Sequence, residues 1–115
     1  MKIKGLIIFF LVVFTAQLKA SEAVMIGFGQ NSCEEFNSDV SESNQWAHHY
    51  FSWAAGYMSA INVRNQERFG EAIDLWPASF DGPKQMRFLK NYCSLNPDKM
   101  FALGVMTLFN ELKKE

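Results

Sequence analysis

The side chains with the most chemical capacity are two adjacent histidines, His48 and His49, and two cysteines, Cys33 and Cys93. On a helix, neighbouring side chains diverge by about 100°, so the two rings cannot serve one site together. Neither has a carboxylate three or four residues on, because Phe51, Ser52 and Trp53 stand there. A metal ion or an acid–base pair would need partners from Glu34, Glu35 or Asp74. There is no glycine-rich phosphate loop and no serine in a nucleophile motif. The residues therefore point away from catalysis, and no catalytic, cofactor-binding or metal-ligating residue is assigned.

The cysteines point to a compartment. Lys2 and Lys4 precede an apolar run from Gly5 to Ala16, and Leu18-Lys19-Ala20 offers a cleavage site before Ser21. The run is shorter than the ~20 residues that span a bilayer, so residues 1–20 read as a cleavable signal peptide. No cysteine follows the run directly, which argues against lipid anchoring, and no stable membrane insertion is expected after cleavage. Two cysteines in an exported chain default to one disulfide, Cys33–Cys93. Closing a loop of about 60 residues contributes ~4 kcal/mol in the chain-entropy model.

The remaining residues, 21–115, form one small domain. Removing Lys2, Lys4 and Lys19 from the 11 basic residues leaves 8 against 12 acids, a formal charge of −4. A mildly acidic domain without a basic run is a poor nucleic-acid binder. At pH 2 to 3 most carboxylates are protonated, and roughly ten positive charges remain to repel one another.

Four elements must position these groups. Ser32 with Glu35 three residues on is a capping-box signature, opening a brief helix that ends near Asn37-Ser38-Asp39. Trp46 to Val63 is a long helix capped by Ser43 or Asn44 and ended by Asn62. On it Trp46, Tyr50, Trp53, Tyr57 and Ile61 fall within about 80° of arc. Apolar or small residues cover well over half its circumference, which predicts a central helix with neighbours on several sides. Ser52, Gly56 and Ala60 line up as a packing groove for another backbone, with His49 near that line and His48 on the opposite side.

Further on, Phe69-Gly70 suggests a turn and Glu71 to Trp76 one or two helical turns. Asp81 caps a third helix from about Pro83 to Leu95, with Met86, Leu89 and Cys93 facing inward. Asn96-Pro97-Asp98 reads as the start of a last helix reaching about Lys113, with Phe101, Val105, Leu108 and Leu112 as its stripe. The expectation is an all-α, single-domain bundle of about four helices with one disulfide.

The chain has eleven phenylalanines, three tyrosines, three tryptophans and six methionines. Trp46, Trp53, Tyr57 and Phe101 read as core. Phe51, Phe88, Met100, Leu103 and Met106 lie off the main stripes and are the candidate partner surface.

The segments Ser32-Cys33-Glu34-Glu35-Phe36 and Asn91 to Phe101, with a central Ala55 to Asn62, resemble the HdeA/HdeB family of periplasmic proteins. The Gly56-Tyr57 to Asn62 and Tyr92-Cys93 to Pro97 elements are also similar to small exported proteins related to Tai-type immunity proteins. Both resemblances imply a periplasmic, disulfide-bonded helical domain that binds proteins and needs no cofactor. The first implies an acid-stress chaperone: a folded homodimer at neutral pH that loosens in acid and offers apolar surface to unfolded clients. The second implies a module that occludes the active site of a toxin delivered by type VI secretion. Intact mass should show two alkylatable thiols after reduction and none before it; alkylation without reduction would rule out the disulfide.

Overall fold

Ser32 starts the first helix by the reciprocal pairing its sequence announces. Its hydroxyl accepts the Glu35 N–H at 3.1 Å, and the Glu35 carboxylate accepts the Ser32 N–H at 2.9 Å. The computed structural model describes residues 23–115, so the signal peptide and cleavage site expected from the sequence lie outside the described residues. Four helices follow: α1 (Cys33–Glu42), α2 (Asn44–Phe69), α3 (Gly82–Leu95) and α4 (Phe101–Leu112). Short 3-10 turns occupy Phe28–Gln30 and Ala78–Phe80. Among the described residues extended pairing is limited to one isolated bridge, Ser32 with Met100. The chain is an all-α bundle closed by a Cys33–Cys93 disulfide.

α4 is the helix at the centre. Phe101, Ala102, Gly104, Val105, Leu108, Phe109 and Leu112 are all buried, an arc of about 160° on a 100° per residue wheel. They pack against Phe36 of α1, Tyr50, Ala54 and Met58 of α2, and Leu89 of α3. Phe36, Tyr50 and Phe101 form an aromatic nucleus with ring centroids 4.8 to 5.0 Å apart.

The tryptophan-rich helix is not central in this sense. α2 buries a single stripe, Tyr50, Ala54 and Met58. That stripe lies roughly 60° round the helix from the middle of the aromatic arc. Trp53 and Tyr57 are thereby left half-buried, and Trp46 is exposed instead of core. Ser52, Gly56 and Ala60 face solvent, and a Cβ built on Gly56 meets nothing within 4 Å. Their small size reflects no backbone neighbour. The indole of Trp53 is covered by the N-terminal arm: its Nε1 donates to the Ile26 carbonyl at 3.1 Å, and its ring lies flat on Gly29, where a Cβ would sit 2.0 Å away.

Helix lengths differ from the expectation at three places, each for a tertiary reason. α1 continues through Asn37, Ser38 and Asp39 because two of these polar residues find partners across the fold: Asn37 Nδ2 donates to the Cys93 carbonyl, and Asp39 accepts from Tyr50. α2 passes Asn62 and runs on through Arg64, Gln66, Glu67 and Arg68, good helix formers, until Gly70 in the left-handed region (φ 67°) stops it. Asn62 instead clasps the strand of chain alongside, donating to the Ile73 carbonyl at 3.0 Å and accepting its N–H at 2.9 Å.

Glu71 to Trp76 is consequently irregular, not helical. α4 begins at Phe101, not at Pro97, because the 97–99 backbone is engaged elsewhere: Cys33 N–H donates to the Lys99 carbonyl at 2.7 Å and Glu34 N–H to the Pro97 carbonyl at 3.0 Å. Asn96 closes α3, with Nδ2 on the Tyr92 carbonyl. The third helix matches its expectation, Asp81 accepting the Lys84 N–H at 3.1 Å. Among the described residues no helix is long and apolar enough to cross a membrane.

Two glycines, Gly56 and Gly29, should behave oppositely in urea unfolding. Gly56→Ala, in an open helix interior, should stabilise by about 0.5–1 kcal/mol. Gly29→Ala must push the Trp53 ring aside and should destabilise by about 1–3 kcal/mol. Equal effects of either sign would contradict this packing.

Candidate functional site

The histidines do not converge on a reaction centre. Both are exposed. His49 stacks on Phe28 with planes 13° apart and centroids at 6.1 Å, whereas His48 borders an apolar hollow on the other side of α2. Glu34 and Glu35 lie at the start of α1, and Asp74 accepts the Trp76 N–H at 2.9 Å. Among the described residues no group of three or more His, Cys, Asp or Glu side chains is close enough to hold a metal ion.

The polar interior is concentrated at Tyr50. Its hydroxyl donates to Asp39 Oδ2 at 2.6 Å and accepts from Asn31 Nδ2 at 2.9 Å, joining α1, α2 and the N-terminal arm. Burial, then the hydrogen bond to Asp39, push the phenol from 10.0 up to about 12. A second buried group, Gln85, donates from Nε2 to the carbonyls of Leu75 and Phe80, both at 2.9 Å, and holds the 75–80 segment over the start of α3.

Both cysteines are fully buried. Of the surface candidates, Leu103 and Met106 are exposed at 37% and 43% on the outer side of α4, and Met100, which caps the start of that helix, at 44%. Phe51 and Phe88 are half-buried and occupied by their own chain. Phe51 meets Trp76 edge-on at 5.7 Å, and Phe88 meets Phe80 at 6.2 Å. Leu103 and Met106, one turn apart, thus share the outer side of α4 with Met100 exposed just before it, whereas the two phenylalanines pack against their own chain.

Other exposed apolar groups were not singled out from sequence. Leu95 is 73% exposed, and a helical wheel shows it opposite Leu89 and Cys93, so that signal was present. Trp76 is 58% exposed in an irregular segment with no period to read. Together with Phe51, Pro83 and Met86 it lines a cavity of about 300 Å³ between the first turns of α2 and α3.

Comparisons with family models, curated protein sequences and solved structures return no match.

Because the folded Tyr50 phenol holds its proton to about 12 and an unfolded one only to 10.0, its contribution is complete below pH 10 and is lost as pH rises toward 12. Tyr50→Phe should remove that alkaline loss and, by stranding Asp39 and Asn31, cost about 1–3 kcal/mol near neutral pH. Chemical unfolding at pH 7, 10 and 11.5 measures both; an identical alkaline slope in the variant would refute the assignment.

Proposed function

We propose that this domain works in an exported compartment as a non-catalytic protein-binding module, contacting its partner through the outer face of α4. The observation that carries this reading is the placement of Met100, Leu103 and Met106. The most buried helix of the bundle turns Leu103 and Met106 outward, and its N-cap residue Met100 is exposed as well, beyond what the core requires. Adjacent exposed apolar groups favour a contact surface, and methionine adapts to the shape it meets. The mode is folded-state recognition, as in the immunity-type proteins whose motifs the sequence resembles. Support comes from a frame in which a disulfide and backbone bonds fix α1 against α3 and the start of α4.

A second reading, an HdeA-type chaperone released by acid, is favoured by a different observation. Carboxylates hold several joints of the fold: Glu35 and Asp81 cap α1 and α3, and Asp39 ties α1 to α2. In strong acid the net charge of the domain becomes strongly positive, and self-repulsion acts against the compact state.

Binding and acid response separate the two. For folded-state recognition, Leu103→Lys with Met106→Lys should weaken capture of a co-purifying partner at pH 7 by about tenfold or more while leaving tryptophan fluorescence unchanged. For the chaperone, fluorescence of Trp46, Trp53 and Trp76 should report loosening between pH 7 and pH 2, and light scattering should show an aggregating client held in solution. A chain that stays folded at pH 2 and holds no client removes the chaperone reading; undiminished capture by the double variant removes the α4 reading.

A further inference from the structure

We propose that the cavity between the first turns of α2 and α3 is an anchor pocket for one large apolar side chain carried by an acidic segment of a partner protein. This rests on the protein-binding reading above and gives it a second contact region. Phe51, Trp76, Pro83 and Met86 wall the cavity, with His48 at its edge. Trp76 leans edge-on against Phe51 yet remains 58% exposed. Its ring is seated on Gly82, where a Cβ would lie 2.7 Å from it, so the indole is a fixed wall. A held, half-open tryptophan beside an apolar hollow is the kind of group on which interface energy concentrates.

Size selects the occupant. Ligand pockets run from ~300 to ~1,000 Å³ and bury most of the molecule they hold. A cavity of about 300 Å³ sits at the bottom of that range and suits a single phenylalanine, leucine or tryptophan side chain.

Charge selects the segment that carries it. α3 contains Lys84, Arg87 and Lys90 and no carboxylate. Arg87 stands one turn beyond Pro83, and Lys90 one turn beyond Met86, positions that lie side by side on a helix. The two cations therefore continue the cavity wall along α3. Both are exposed, and the ion pair found among the described residues, Lys114 with Glu111, involves neither. Lys84 is engaged apart from them, its Nζ donating to the Ser79 carbonyl at 3.0 Å. Asp74 and Asp81 stand before α3 and accept backbone N–H groups of Trp76 and Lys84, and the Glu115 carboxylate accepts the Ser79 hydroxyl. A segment that seats its apolar side chain in the hollow and follows α3 meets Arg87 and Lys90, and complementary acids on that segment fix its direction.

The probe is a blocked pentapeptide with one phenylalanine flanked by two acids on each side, titrated into the chain while the indole N–H resonances are followed. The Trp76 signal should move and the Trp53 signal, covered by Gly29, should not. Replacing the peptide's phenylalanine with alanine, or the protein's exposed pair by Arg87→Glu with Lys90→Glu, should weaken binding about tenfold or more. Circular dichroism confirms that the surface variant stays folded. The proposal is overturned if Trp76 is still at millimolar peptide, if the alanine peptide binds equally, or if sodium octanoate displaces the peptide at lower concentration, which would make the cavity a site for small amphiphiles. Loss of partner capture in the α4 variant with no peptide effect at Trp76 would discard this pocket and leave protein binding standing. Peptide binding at Trp76 by a chain that retains no protein partner would support the pocket and discard the α4 reading.

Discussion

The joint on which this fold depends is the start of α1, where three backbone donors that a helix leaves open all find acceptors. Cys33 and Glu34 donate to the carbonyls of Lys99 and Pro97, and Glu35 donates to the Ser32 hydroxyl. Phe101 N–H returns the connection to the Asn31 carbonyl. The first turn of α1 is therefore sewn to the chain just ahead of α4, while Cys33 binds it covalently to the last turn of α3. Three helices meet at one point, and Phe36 and Phe101 stack directly beneath it at 4.8 Å. Much of a ~90-residue domain's core can then form around a single fixed corner, useful in a chain too small to bury a large apolar area.

That corner explains which parts of the structure were legible in the sequence. Local signals with their own chemistry were readable: Ser32 with Glu35, Asp81 ahead of Pro83, the stripe from Phe101 to Leu112, and Gly70 after Phe69. Signals whose partners lie far along the chain were not. Asn-Pro-Asp at 96–98 has the composition of a helix start, yet its carbonyls serve α1 and the helix waits until Phe101. Asn37 and Asp39 look like turn residues until Cys93 and Tyr50 are seen across from them. Asn62 looks like a helix stop until Ile73 is placed beside it.

The rotation of α2 has the same origin. Hydrophobicity alone aims the arc of Trp46, Trp53 and Tyr57 inward, whereas the stripe that meets the core is Tyr50, Ala54 and Met58, with Tyr50 against Phe101 of α4. The wide aromatics are displaced to the flank, where Trp53 gains a different task as the seat of the N-terminal arm. The surface candidates divide along similar lines. The outward side of α4 could be read from a helical wheel, but the hollow beside Trp76 depends on an irregular segment folding back over α3, and no periodicity encodes that.

The amide clasps of Asn62 and Gln85 carry a consequence for how this domain comes apart. They hold the 71–80 segment to α2 and α3 through groups that keep the same charge at every pH. The segment is thus fastened at Ile73 to the long helix and at Leu75 and Phe80 to α3, while the covalent bridge tethers α1 to α3. Whichever contact opens first, α1, α2 and α3 stay strung on one line of attachments, and the chain comes apart as a hinged object with its joints in fixed places.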